Sequence, residues 1–327
     1  MKLFFHLSAL MMGSSISAAT AEETAPLLSQ QQAVQQLSQL NIPPDRYIST
    51  LHHIGANPQI LQLLLAAGVD PDTPDWHGIT VLQRAAECGI TESVKLLLAA
   101  GADVNHRNDT DGRTALVLAI QNGHTECATL LANANGLDYQ PWSPLTLGVA
   151  RHDIEDIHRF IGTGNDVNEA CREGYTPMQL AAKLGYTDVM QILIDAGADV
   201  DKADEFGYTP LLEAVYHERI ECVRLLLKHG ANADGAANII PLHIAAERGH
   251  AVCMMALLQA GANANKTDEA HRSPLHLAVF FEHPECIDIL LKHGADTTLK
   301  DANGHTATDI AEKKCSPETL QRLQTRP

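Results

Sequence analysis

The 327-residue chain carries 40 acidic against 23 basic residues, a formal net charge of −17, and is 45% apolar. A balance this acidic argues against nucleic acid, whose affinity for proteins rests on Lys and Arg displacing counterions, and against anionic lipid surfaces. It favours a basic or neutral protein partner, or simply keeps an extended surface soluble.

The chain opens with Lys2, an apolar stretch from Leu3 to Met12, and a small-residue run from Gly13 to Ala21. A positive start, a short apolar core and A-x-A spacing are the three parts of a secretory signal peptide. Ala19-Thr20-Ala21 fits a cut before Glu22, and Ser17-Ala18-Ala19 is a second cut of the same kind. The apolar stretch falls short of the roughly 20 residues that span a bilayer. The expectation is a signal peptide over residues 1–21, no membrane span, and a mature protein that is periplasmic or extracellular. Residues 22–45 follow as a capping helix and linker, with Leu27, Leu28, Val34, Leu37 and Leu40 approximating one apolar stripe. A partner-binding helix is the other reading of that stripe.

From residue 46 to residue 315 one phrase recurs, and a short tail over 316–327 closes the chain. The phrase is T-P-L, a helix, and L-L-x-x-G-A; residues 207–232 read GYTPLLEAVYHERIECVRLLLKHGAN. Its leucine slot falls at Leu82, Leu116, Leu145, Met178, Leu211, Leu242, Leu275 and Thr308, in steps of 34, 29, 33, 33, 31, 33 and 33. A fixed period of this length dictates stacked repeats. Within each copy Thr caps a helix and Pro occupies its first turn, where a missing N–H costs nothing. Gly-His ends that helix at Gly123-His124 and Gly249-His250, and paired leucines such as Leu225-Leu226 mark a second. Gly-Ala-Asp or Gly-Ala-Asn then starts an Asp/Asn-rich turn.

Ile240-Pro-Leu-His-Ile-Ala-Ala246 and Ser273-Pro-Leu-His-Leu-Ala278 resemble the T-P-L-H-x-A phrase of the ankyrin repeat family. The resemblance implies an all-α solenoid: helix–turn–helix units, about eight counting degenerate ends, joined by β-hairpin-like fingers and curved around a concave binding face. Two steps depart from the family spacing. The 29-residue step lacks a full finger over Asn133–Trp142, and the 31-residue step replaces G-x-T by Gly235-Ala-Ala-Asn-Ile-Ile240.

Repeat grammar absorbs most of the chemistry-bearing residues. Cys127, Cys222, Cys253 and Cys286 share one slot in the second helix. Equivalent residues of packed helices lie about 8–10 Å apart, beyond the ~7 Å limit for a bridge, so these are expected as buried thiols. Cys88, Cys171 and Cys315 fall elsewhere, with no pairing assigned. Of 17 histidines, His243 and His276 sit in T-P-L-H, His124, His250 and His283 in the Gly-His slot, and His229 and His293 before the terminal glycine. No H-x-x-x-H, C-x-x-C, calcium-loop, phosphate-loop or G-x-S-x-G pattern occurs, so neither a metal, a cofactor nor an enzyme activity is expected.

In the ankyrin family, partner contacts come from the finger residues and from those just before the Gly-His slot. The resemblance carries that role to Trp76, Trp142, Tyr175, Phe206, Tyr208, Tyr216, Phe280 and Phe281. Tyr and Trp dominate interface energetics. Tyr175, Phe206, Tyr208 and Tyr216 form the densest group, with Asp204, Glu205 and Glu213 expected as an acidic rim. Packing of these rings on one another is the competing reading. The expected function is a monomeric, non-enzymatic scaffold holding a protein partner. The alternatives are an inhibitor or folding helper of one exported enzyme, and a metal- or small-molecule-binding scaffold.

Overall fold

Most first helices begin where a Thr or Ser side chain replaces the hydrogen bonds that a helix start lacks; the helix starting at Pro241 follows Ile240 and has no side-chain cap. Thr80, Thr176 and Ser273 form reciprocal capping boxes with Gln83, Gln179 and His276. In the computed structural model, residues 29–47, 57–110, 112–134, 143–171, 174–235, 239–314 and 317–324 are described. The expected signal peptide, Trp142, Cys315 and nearly all of the shortened finger lie outside them.

The described residues form eighteen α-helices and no strand. Helix α1 (Gln30–Gln39) packs on α2 (Pro58–Ala66), burying Ala33 and Leu37, and Gln30 Nε2 donates to Ala67 O at the end of α2 (2.9 Å). Helix pairs follow: α3 (Val81–Glu87) with α4 (Thr91–Ala99), and α5 (Ala115–Gln121) with α6 (Thr125–Ala134). Next come α7 (Pro144–Arg151) with α8 (Ile154–Gly162), and α9 (Pro177–Leu184) with α10 (Thr187–Asp195). Then α11 (Pro210–Tyr216) pairs with α12 (Ile220–Lys228), and α13 (Pro241–Arg248) with α14 (Ala251–Gln259). The last pairs are α15 (Pro274–Phe280) with α16 (Pro284–Lys292), and α17 (Ala307–Lys314) with α18 (Pro317–Gln324). Helix α18 lies within the segment expected as a tail; it packs on α16 and α17 through Thr319 and Leu323 and completes the last unit.

Outside the 29-residue step, first helices stack on first helices and second on second, and one continuous core runs from Ala33 to Leu323. The four slot cysteines are buried in it and unbridged. Burial pushes their thiols up, Cys222 to about 12 and Cys253 and Cys286 to about 11, well away from the reactive thiolate.

The fingers are hairpin-shaped turns held without a strand ladder. Asp75 Oδ1 accepts from the N–H of His77 and of Ile79 (both 2.9 Å), and Asp204 Oδ1 accepts from Phe206 and Tyr208 (2.9 and 2.8 Å). A second row of Asp and Asn ties each turn to the next: Asp103 N–H donates to Asp72, Asp199 to Asn168, Asn232 to Asp201, Asn263 to Asp234 and Asp296 to Asn265, at 2.7–3.0 Å.

The Gly-His slot also works between units. His124 Nε2 bonds Glu87 O and His283 Nε2 bonds Glu247 O (both 2.9 Å), so each ring lies over the glycine of the preceding unit. A Cβ on Gly89 would stand 2.4 Å from His124 Nδ1, and one on Gly249 would stand 2.7 Å from His283 Nδ1. In two units a glutamate holds that left-handed position, Glu218 at φ 54° and Glu282 at φ 58°.

Among the described residues the regular stack is broken around the 29-residue step, where α8 packs chiefly on α7 rather than on α6 and α10. Helix α7 packs on α6 and α9 instead of on α5, and α5 touches α9 directly. Helix–helix turns of non-adjacent units therefore meet. Thr125 Oγ1 donates to Leu184 O (2.7 Å), and Thr129 Oγ1 bonds the Tyr186 hydroxyl (2.7 Å). From further along the chain, Arg219 Nη2 donates to Gly123 O (2.5 Å) and Thr125 Oγ1 (3.2 Å), while its Nε donates to Lys183 O (3.2 Å).

An L-residue in the left-handed region costs roughly 1–2 kcal/mol. Glu282→Gly is expected to raise unfolding free energy by about 1 kcal/mol, and Gly249→Ala to lower it by at least about 1 kcal/mol, because strain and the His283 clash act together. Urea titration followed by circular dichroism checks both signs.

Candidate partner-binding face

The aromatic residues expected to bind a partner divide into two kinds. Trp76 and Phe206 stand at fingertips, 89% and 72% exposed, with the Trp76 ring 3.8 Å from that of His77. Phe280 and Phe281, at the end of α15, are 43% and 42% exposed and meet edge to face at 5.1 Å. Tyr175, Tyr208 and Tyr216 are only half-exposed. Among the described residues, no ring contact joins Tyr175, Phe206, Tyr208 and Tyr216 to one another. The dense aromatic group therefore does not form a mutual stack.

Cations lie against three of these rings. The Tyr175 hydroxyl accepts from Lys183 Nζ at 3.1 Å, and that ammonium lies 4.8 Å from the ring centre. Arg248 Cζ stands 3.6 Å over the Tyr216 ring, and Lys314 Nζ 3.4 Å over the Phe280 ring. In both the second and third pairs a cation reaches back onto the aromatic side chain of a preceding unit. Aligning the copies slot by slot shows the spacing though not the contact: the aromatic side chain falls seven residues after its helix cap and the cation eight residues after the next cap.

The expected acidic rim is absent as such. Glu213 is buried, with Oε2 3.1 Å from Lys183 Nζ, and Asp204 is consumed by the finger turn; Glu205 alone is exposed. Glu213 occupies a slot filled by Leu118, Leu147, Leu180 and Leu277 in other units, all of them buried. That slot comparison was a partial signal of burial, since Arg84 fills the slot in one unit. Burial pushes the Glu213 carboxyl up and Lys183 pulls it partly back. Burial likewise opposes the Lys183 charge, but Glu213 and the Tyr175 hydroxyl outweigh it and hold the ammonium above its ordinary value.

His217 completes the cluster. Its Nε2 is buried, lacks a hydrogen-bond partner, and lies 3.6 Å from Glu213 Oε2. Burial first, and the neighbouring charges of Lys183, Arg219 and Arg248 next, push this imidazole down to about 3.

Several other histidines bond backbone carbonyls. His243 Nε2 bonds Lys266 O (2.8 Å), His276 Nε2 bonds His305 O (3.2 Å), and His250 Nδ1 bonds Val215 O (2.9 Å). Among the described residues no three His, Cys, Asp or Glu side chains converge as a metal ion would require, and no helix is long and apolar enough to cross a membrane.

Glu213→Gln leaves Lys183 charged and uncompensated, with an expected loss of about 3–5 kcal/mol. Lys183→Met combined with Glu213→Leu should stay within about 1 kcal/mol of wild type in denaturant titrations. His217 stays neutral when folded but protonates below its ordinary 6.5 when unfolded, so its contribution is complete above 6.5 and is lost as pH falls towards about 3. Relative to wild type, His217→Leu should therefore gain about 1.4 kcal/mol of stability per pH unit lowered through that window. A pH-independent difference would contradict the burial of the neutral ring.

Comparison with known proteins places this geometry in a family. A profile for ankyrin repeats matches three times, over residues 49–143, 145–237 and 233–301. The chain is 32% identical over 157 residues to E3 ubiquitin-protein ligase XBAT32 of Arabidopsis thaliana, covering 45% of this chain and 29% of that protein. It is 35% identical over 124 residues to the RelA-associated inhibitor of Mus musculus, covering 34% of this chain and 15% of that protein. It is 28% identical over 158 residues to the B-cell lymphoma 3 protein homolog of Mus musculus, covering 45% and 35% of the two chains. The match thus spans about a third or less of each relative. With the profile covering well over half of its length, the chain belongs to the ankyrin repeat family.

Proposed function

We propose that this ankyrin solenoid is a non-enzymatic, monomeric scaffold that holds one protein partner across its fingers and first helices, in a periplasmic or extracellular compartment. The observation that carries the reading is the placement of exposed apolar surface. Of the six large hydrophobic residues exposed among the described residues, Trp76, Phe206, Phe280 and Phe281 all lie on the finger and first-helix side, and all four are aromatic. Aromatic anchors of this kind supply most of the energy of protein interfaces. The export reading rests on the signal-like residues 1–21, and the net charge of −17 favours a neutral or basic partner surface at long range.

Inhibition or folding assistance of an exported enzyme is a special case of the same binding. The RelA-associated inhibitor shows an inhibitor among the relatives, although the match spans only 15% of that protein. No observation favours the metal- or small-molecule-binding alternative, and His124, His243 and His283 are engaged with backbone carbonyls within the stack.

The test is affinity capture from the envelope fraction of the source cell, with mass spectrometry, using wild type beside Trp76→Ala and Phe206→Ala. Both side chains stand in solvent, so folding should be unchanged. Partner affinity should fall at least tenfold for at least one of them, about 1.4 kcal/mol. Unaltered capture by both variants would sink the aromatic-anchor reading.

A further inference from the structure

Three exposed side chains occupy one slot in three consecutive units: Arg248, Phe281 and Lys314, each eight residues after its helix-capping position. Arg248 is seated on Tyr216 and Lys314 on Phe280, with Phe281 against Phe280 between them. Cation–π seating orients a charge without neutralising it. Neither cation joins an ion pair among the described residues, whereas Arg84, Arg159, Arg224 and Arg272 each have a carboxylate partner. The chain has no shortage of acids, with 40 against 23 bases, and Glu247 and Glu312 stand one and two residues before Arg248 and Lys314. Two oriented, unneutralised cations flanking an exposed phenyl ring are therefore a particular feature of this edge.

We infer that this edge binds an extended segment of the partner in which a carboxylate, an apolar side chain and a second carboxylate follow one another at three-residue spacing. The spacing comes from geometry. Packed helices lie about 8–10 Å apart, and a chain in the extended polyproline II conformation advances about 3.1 Å per residue with three residues per turn, so every third side chain faces the same way. One unit therefore matches three residues. The carboxylates meet Arg248 and Lys314, where a guanidinium offers paired donors to a carboxylate, and the apolar side chain covers Phe281. The inference rests on the scaffold reading and specifies the chemistry of the segment that it holds; the rest of the partner surface can be neutral or basic.

The probe is the fluorescein-labelled peptide Glu-Pro-Ser-Phe-Pro-Ser-Glu, whose prolines keep it extended. Its binding to the full chain is followed by fluorescence anisotropy, beside peptides with Gln at both Glu positions, Ser at the Phe position, or Lys at both Glu positions. The Glu/Phe peptide should bind at least tenfold more tightly than the Gln or Ser peptide. Arg248→Glu with Lys314→Glu should reverse the preference towards the Lys peptide, Phe281→Ser should weaken binding about tenfold, and Arg248→Lys with Lys314→Arg should retain it. Equal affinity for the Glu and Gln peptides, or no saturation by any peptide at millimolar concentration, overturns the inference. In the capture experiment, partner binding that is lost in Trp76→Ala or Phe206→Ala but retained in Arg248→Glu with Lys314→Glu also overturns it, and leaves the scaffold reading standing.

Discussion

No helix pair of this chain can bury its own apolar side, so each unit exists only against its neighbours. The apolar slots supply the bulk of that contact, but they are non-directional. Directional ties set the register of the stack. The Asp/Asn row joins turn to turn, and the first-helix side chains Gln83, Gln179, His243 and His276 bond carbonyls of the following finger. The histidines of the Gly-His slot bond carbonyls of the preceding first helix. Polar residues that might suggest metal or acid–base chemistry are spent on holding units in line.

Where that constraint is relaxed, the structure finds other contacts. The short step removes the regular seat of α7 on α5, and the exposed turn ends close on each other across the gap. Thr125, Thr129, Tyr186 and Arg219 supply the hydrogen bonds that replace regular stacking there. A guanidinium suits the role because its fixed fork reaches several carbonyl and hydroxyl oxygens at once. The charged cluster of Lys183, Glu213 and Tyr175 lies in the units just beyond this break, with the unbonded His217 ring beside it. Buried charge of this kind adds little net stability, but removing either partner is costly.

The aromatic residues divide by what covers them. Tyr216 and Phe280 carry cations of the following unit and Tyr175 one of its own, while Trp76, Phe206 and Phe281 carry none among the described residues. The structure shows cover, not binding: Tyr175 and Tyr216 are engaged by cations, whereas Trp76, Phe206 and Phe281 stand exposed. The cations seated on Tyr216 and Phe280 change the charge of the edge that a partner would meet, which composition averaged over the chain conceals.

The 33-residue period by itself determined the helix–turn–helix units, the buried cysteine slot and the structural role of the histidines, because each depends on position within one copy. The ends of helices were legible for the same reason, since Thr, Pro and Gly act on backbone groups a few residues away. Only the tertiary structure decided the burial of Glu213, the covering of Tyr216 and Phe280 by Arg248 and Lys314, and the displacement of α7 from α5. Those outcomes depend on which side chains of different units face one another, and an averaged repeat pattern carries no such information. Leucine fills the Glu213 slot in four other units but Arg84 fills it in one, so slot comparison alone does not fix the burial of Glu213; the contacts across the short step likewise required the packed stack.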